Sequence, residues 1–317
     1  MYPWHNTFHM GLVHFMAYPQ ASSRDAVLQT VTEVLTDEFF QAIEVSALLD
    51  LELLEEIGKL CKVARVELLL GAQPLVLSQK LNLNDFSKSE RERAIRRLKE
   101  AIDKAYSCGA KAISFLSGKR PEKGKEEEAK KLLVESLIDL CRYAENRAKD
   151  AGYLLGVNLE VFDYAVDKEA LVGPAPFAFE VASRVRVEHQ NFGLTVDLSH
   201  IPLLFENASY TLTLLAPFVN HVHIGNAVLE KGHPAYGDLH PRFGIEGGCN
   251  DVDEVADFLR VLFRIGYFER KGTTERPVIS FEVKPLPGED PRLVVANAKR
   301  TFLAAWNRVC SLGRLGE

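Results

Sequence analysis

Eight short apolar runs of β-type composition recur along the chain, and most are followed by a longer stretch with helical periodicity. This alternation restricts the fold more than any other feature, because repeated βα units bury a parallel sheet beneath their helices. The runs are 9–17 (HMGLVHFMA), 41–47 (QAIEVSA), 65–71 (RVELLLG), 111–117 (KAISFLS), 154–161 (LLGVNLEV), 192–198 (FGLTVDL), 219–225 (VNHVHIG) and 277–283 (PVISFEV). Most are near-continuously apolar, as strands buried on both faces are. The helical stretches carry their own punctuation. Ser22 and Ser23 offer N-caps for 22–35, and Asp50 or its neighbours for 49–64. Ser87, with Glu90 three residues on, opens 87–109, which Gly109 stops. The stretch 125–152 is acidic early and basic late, matching the helix dipole, and ends near Gly152. Segments 251–268 and 290–309 complete the later units. Eight strands and about eight helices in strict alternation predict an α/β fold, a (β/α)8 barrel in a single domain over residues 1–317. The rival, a doubly wound open sheet, wants a GxGxxG turn after its first strand, and HFMAYPQASS has none.

Four runs in the second half end in metal-binding side chains: Glu160, Asp197 with His200 close behind, His223, and Glu282. Carboxylates and imidazoles are costly to bury unless paired or metal-bound, so four such endings suggest convergence on one cation. In a barrel the C-terminal strand ends open onto the active-site face, and strands five to eight are neighbours. Two or three carboxylates with one imidazole suit Mn²⁺, Mg²⁺, Co²⁺ or Zn²⁺. The plainer reading, separate buried ion pairs or strand-end caps, has to explain four coincidences at once.

Composition narrows the class from outside. The net charge of -6 and pI near 5.9 give no general attraction to polyphosphate, which argues against a nucleic-acid partner. Cys61, Cys108, Cys141, Cys249 and Cys310 are scattered with no CxxC pair, which reads as reduced thiols. The amino terminus lacks a basic segment followed by an apolar core, and no run of about 18 apolar residues occurs. The expectation is a soluble cytoplasmic protein with no membrane partner; its association into a homo-oligomer stays open.

The segments NLEVF, LTVDLSH, HVHIGN, GDLHPRFG and SFEVKP, in that order, resemble the xylose-isomerase-like TIM barrels, which include sugar isomerases, sugar epimerases and the endonuclease IV branch. The resemblance implies that Glu160, Asp197, His223 and Glu282 bind one divalent cation, with Glu160 and Glu282 doubling as catalytic acid and base. It implies that His200 contacts substrate or, with Asp238 and His240, holds a second metal. The endonuclease branch also uses histidines at the ends of earlier strands, where this chain reads EVSALLD, LLLGAQP and SFLSGKRP without one. Sugar chemistry is therefore favoured over nuclease chemistry.

A divalent ion that holds adjacent hydroxyl and carbonyl oxygens of a sugar acidifies the neighbouring C–H and stabilises an enediolate. Two bases then give epimerisation, and one base moving a proton between carbons gives isomerisation. The alternative is a metal-dependent hydrolase or lyase on the same barrel, either dehydratase-like or endonuclease IV-like. Lys284 lies two residues past Glu282 and shares its side if the strand continues, where it would meet substrate or pair with Glu282. Arg242, in the Gly- and Pro-rich loop 227–250, is a candidate for a substrate carboxylate or phosphate, against the ordinary reading of a solvated loop arginine. His14 in the first strand and Glu44 in the second are candidates to face the pocket, with packed or paired barrel residues as the equal alternative. His221 shares the side of its strand with His223 and reads as its supporting partner.

Overall fold

The computed structural model describes residues 4–312. Eight parallel strands close on themselves in chain order: β1 His9–Val13, β2 Ala42–Ser46, β3 Glu67–Gly71, β4 Ala112–Leu116, β5 Gly156–Val161, β6 Phe192–Asp197, β7 Val219–Ile224 and β8 Val278–Phe281. One principal helix follows each strand: α1 Arg24–Leu35, α2 Leu51–Ala64, α3 Lys88–Cys108, α4 Glu126–Ala151, α5 Ala175–Arg186, α6 Ala208–Leu215, α7 Val252–Arg264 and α8 Pro291–Leu312. The fold is a (β/α)8 barrel in one domain, and β1 closes it by pairing with β8, Leu12 level with Phe281. None of its helices is long and apolar enough to cross a membrane, among the described residues.

Local chemistry sets the element ends. Ser23 Oγ accepts from Ala26 N at the start of α1, and Asp50 Oδ1 accepts from Leu53 N (2.8 Å) at the start of α2. Gly109 and Gly152 end α3 and α4 in the left-handed region, at φ 78° and 76°. The cap expected at Ser87 is not formed by its side chain. Its hydroxyl bonds to Ser89 Oγ instead, Glu90 pairs with Arg93, and Asp85 Oδ1 holds the Ser87 N–H (2.8 Å). The first strand is also shorter than the run 9–17, stopping at Val13 where the chain turns into a short helix, His14–Ala17.

The barrel interior is layered. Ala42, Leu69, Ala112 and Val278 make an apolar floor. Above it the layer turns polar, with Glu44, Ser114 and Ser280 two residues further along three of those strands and Thr195 and His221 joining from β6 and β7, all buried. Branched apolar side chains commonly fill such a layer. Here hydrogen bonds replace them, Ser114 Oγ with Thr195 Oγ1 at 3.1 Å and His221 Nε2 with Glu44 Oε1 at 2.7 Å. Gly11 makes room for this layer, since a Cβ there would lie 2.4 Å from Ser280 Oγ.

Candidate metal centre

Strand register brings the strand-end donors together. Glu160 on β5 is level with Thr195 on β6, and Asp197 lies two residues further along the same face. Asp197 is level with His223 on β7, which is level with Ser280 on β8, two residues before Glu282. One donor atom each from Glu160, Asp197, His223 and Glu282 lie within 4.8 Å of one another. His223 Nδ1 is 3.5 Å from Glu160 Oε1, 4.0 Å from Asp197 Oδ2 and 2.6 Å from Glu282 Oε2.

These four atoms have no hydrogen-bond partner: Glu160 Oε1, Asp197 Oδ2, His223 Nδ1 and Glu282 Oε2 are buried and unsatisfied, the short approach of Nδ1 to Oε2 being misaligned for a hydrogen bond. The other oxygens of two of the carboxylates are held by the protein. Gln73 Nε2 donates to Glu160 Oε2 (2.7 Å), and Ser199 N donates to Asp197 Oδ1 (2.6 Å). Burying an unsatisfied donor or acceptor costs about 1–3 kcal/mol, more when charged, so four aimed at one point make a set that fits a divalent cation.

The far side of His223 is anchored as well. Its Nε2 lies 3.2 Å from Glu44 Oε1, which also accepts from His221. A carboxylate behind a ligating imidazole fixes the ring's orientation. Burial opposes the charge on Glu44, but His221 and His223 hold it well below the usual carboxylate range. Burial likewise opposes charge on His223, which Glu44 and Glu282 raise well above the ordinary imidazole value. Glu282 moves the other way, pushed up to about 7 chiefly by burial and also by the Glu160 charge. Five buried carboxylates, Glu44, Glu160, Asp197, Asp238 and Glu282, thus share a space with four buried imidazoles, His200, His221, His223 and His240.

A second group stands beside the first. His200 Nδ1 donates to Val161 O (2.9 Å) while its Nε2 faces Asp238 Oδ1 (3.1 Å), so both ring nitrogens meet oxygens. Burial works against charge on the ring, but Asp238 and Asp197 hold His200 well above its ordinary pKa. His240 Nε2 is 2.8 Å from the same Asp238 oxygen, its Nδ1 is 3.1 Å from Ser199 Oγ, and nearby carboxylates, Glu282 foremost, outweigh burial to raise it to about 9. Asp197, His200 and His240 also present donors within 4.8 Å of one another. The loop Ala227–Asn250 carries Asp238 and His240 into place. Asn226 Oδ1 accepts from Ala227 N and Asn250 N, and Asn250 Nδ2 donates to Leu198 O and Gly225 O. His240 sits at φ 49°, a conformation uncommon for a residue with a side chain.

The remaining candidates lie apart from the tetrad. His14 begins the short helix after β1, where Nε2 bonds to Thr30 Oγ1 (2.8 Å) and the ring stacks on Tyr18. Arg242 is tied to Glu289 on the rim (2.8 Å). β8 ends at Phe281, so the strand does not extend to Lys284; its backbone N–H meets His240 O, and it makes no ion pair with Glu282 among the described residues. Gln73, Ser199 and Phe162, whose ring lies 4.3 Å from that of His200, were not singled out by the sequence. For Gln73 a signal existed: it follows the third apolar run as the acids follow the later ones.

Known proteins place this geometry in a family. The model of the xylose isomerase-like TIM barrel matches residues 36–272. No curated protein matches the chain. Among solved structures, a D-tagatose 3-epimerase-like protein is 19% identical with TM-score 0.71, covering 96% of this chain and 98% of its own. L-ribulose 3-epimerase is 16% identical with TM-score 0.71, covering 98% of each. The IOLI protein with a zinc atom is 16% identical with TM-score 0.69, covering 95% of this chain and 99% of its own. At these identities the structures speak for the fold, while the family match spans most of the chain: it belongs to the xylose isomerase-like TIM barrel family.

Proposed function

We propose that the protein is a sugar isomerase or epimerase, acting on a sugar, sugar acid or sugar phosphate with one divalent cation held by Glu160, Asp197, His223 and Glu282. The convergence of four unsatisfied buried donor atoms at the C-terminal ends of β5 to β8 carries this reading. A D-tagatose 3-epimerase-like protein and an L-ribulose 3-epimerase among proteins of the same fold support the substrate class. When bound, the divalent ion supplies Lewis acidity to vicinal sugar oxygens and so acidifies the intervening C–H.

The chain's own groups do the rest. Glu160 and Glu282 come from β5 and the end of β8, with β6 and β7 between them, and in this reading each carboxylate removes or returns a proton on its side of the substrate while it also holds the cation. Glu282, 8% exposed against 1% for Glu160, is the one nearer the entrance. Gln73 holds Glu160 at a fixed angle, and Glu44 does the same for His223. Asp238 Oδ1 meets His200 and His240, which leaves Oδ2, 3.7 Å from Lys168 Nζ, as an acceptor for sugar hydroxyls. Burial opposes its charge, but His240 and His200 keep it ionised, well below the usual carboxylate range.

The test is metal analysis of the purified protein, followed by a screen of ketoses and aldoses in D₂O with added Mn²⁺. Deuterium at a carbon next to the carbonyl is expected, and Glu160→Gln or Glu282→Gln should each abolish it. Full metal content and turnover in both variants would refute the assignment. The donors Asp197, His200 and His240 favour a second reading, a two-cation hydrolase or lyase. One ion per chain supports the first reading; two ions with water elimination or ester cleavage support the second.

A further inference from the structure

The end of the barrel opposite the tetrad carries a cavity of about 530 Å³. Its walls come from residues at or before the starts of strands: Leu154 before β5, Asn191 before β6, Val219 and Asn220 opening β7, and Pro277 before β8. Three cations line it, Arg186, Arg270 and Lys271, and no aspartate or glutamate does. The chain as a whole carries a net charge of -6, so an all-cationic wall is not what its overall balance supplies. Main-chain carbonyls fix the two guanidinium groups. Arg186 Nη1 donates to Phe192 O (2.7 Å), and Arg270 donates through Nη1 to Val219 O (2.7 Å) and through Nη2 to Ile265 O (3.1 Å). A guanidinium has five N–H donors, so each arginine keeps donors to spare. Neither has a carboxylate partner among the described residues, although both are partly buried. Burial lowers both below the usual arginine range, and the Arg186 charge adds to the effect at Arg270. Held cations that repel one another without a counter-charge make an anion site. Thr273, Thr274 and Gly272 complete the lining with hydroxyl groups and accessible backbone.

We propose that this cavity binds a small phosphate-bearing molecule, its phosphoryl oxygens held by Arg186, Arg270, Lys271 and the hydroxyls of Thr273 and Thr274. Three cations match a dianion better than a lone carboxylate, and the volume exceeds what orthophosphate alone requires, leaving room for an organic portion. The site is separate from the tetrad, which lies at the other ends of the same strands.

Isothermal titration of the full chain with orthophosphate, a hexose phosphate, the unphosphorylated hexose and citrate tests this. The hexose phosphate should bind saturably and orthophosphate more weakly. Arg270→Gln and Lys271→Glu should each weaken the hexose phosphate by about ten-fold, the loss of one charged hydrogen-bond partner, in titrations run with a chelator so that no cation draws the ligand to the tetrad. Lys271 is exposed, so its variant tests the site even where Arg270→Gln fails to fold. Absence of saturable phosphate binding, or citrate binding in its place, would overturn the proposal. So would loss of binding in Glu282→Gln with the basal variants unaffected, which would assign the phosphate to the tetrad.

Discussion

His223 uses both ring nitrogens, Nδ1 toward the tetrad and Nε2 toward Glu44, so Glu44 governs the angle at which Nδ1 is offered. Glu44→Gln keeps the shape and weakens that hold; divalent metal affinity should fall by about 10- to 100-fold with the circular dichroism unchanged, as read by competition with a chelating dye. An unchanged affinity would mean that packing alone orients the ring. His14 makes the opposite case, a histidine buried without a carboxylate. Burial pushes its pKa from 6.5 to about 4, so between those values the unfolded chain binds the proton and the folded chain does not. Stability present above pH 6.5 is therefore lost as the pH falls toward 4, by up to about 3 kcal/mol. His14→Gln should flatten this loss, visible as a smaller gap between urea midpoints at about pH 7 and about pH 4.5 than in the parent. Equal gaps would assign the acid sensitivity elsewhere. Glu160, Asp197, His223 and Glu282 stand out in the sequence because charge at the end of an apolar run is anomalous. Ser199 does not, because a hydroxyl two residues past a strand-end acid is ordinary in a turn, and Gln73 shows only by its place after the third run, since a neutral amide there carries no anomalous charge.

The elements were legible to the extent that local chemistry fixes them. Seven strand runs lie within a few residues of the observed strands, since near-continuous apolar stretches admit little else in an α/β chain. The run 9–17 misled because HFMA is as apolar as the strand before it, and periodicity over four residues cannot separate a buried helical turn from a strand. Helices α5 and α6 were not delimited from the sequence. The first begins after Pro174 with Pro176 in its opening turn, which masks a start whose buried positions Ala175, Ala178, Val181, Ala182 and Val185 do keep helical spacing, and the second has only eight residues, too few for a full amphipathic repeat. The loop after β7 was recognisable by its length, but the clamp that closes it was not, because Asn226 and Asn250 meet only in the fold. Asn250→Ala removes the donors to Leu198 O and Gly225 O at a cost of about 1–3 kcal/mol, and should open the loop to limited proteolysis between residues 227 and 250. Unchanged cleavage would show that the Val228 bridges to Tyr236 and Gly248 suffice. Gly225→Ala is a stricter probe, since its Cβ would lie 2.6 Å from Glu282 O and 3.1 Å from His240 Nδ1. Backbone cannot swing aside, so the variant should lose metal affinity and about 1–3 kcal/mol of stability together.

At the scale of the whole molecule the barrel closes around an unusually polar interior. Its floor is apolar, but the layers above hold Glu44 and His221 and then the tetrad, so the charge lies inside the ring of strands that the pairing of β1 with β8 closes. An ion at the tetrad would therefore stabilise the closed barrel as well as serve chemistry. A ligand that binds only the folded state adds about 2.7 kcal/mol at 100 times its dissociation constant. At about 2–4 °C per kcal/mol for a chain this large, saturating metal should raise the melting temperature by about 5–10 °C, and a chelator should reverse the shift. The double variant Glu160→Gln/Glu282→Gln discriminates the source. It removes two of the four donors and their mutual repulsion, so it should melt at a temperature insensitive to chelator, whatever its own stability. A chelator shift of the same size in the double variant would place the stabilising cation away from the tetrad, with Asp197, His200 and His240 the next set to examine by the same measurement.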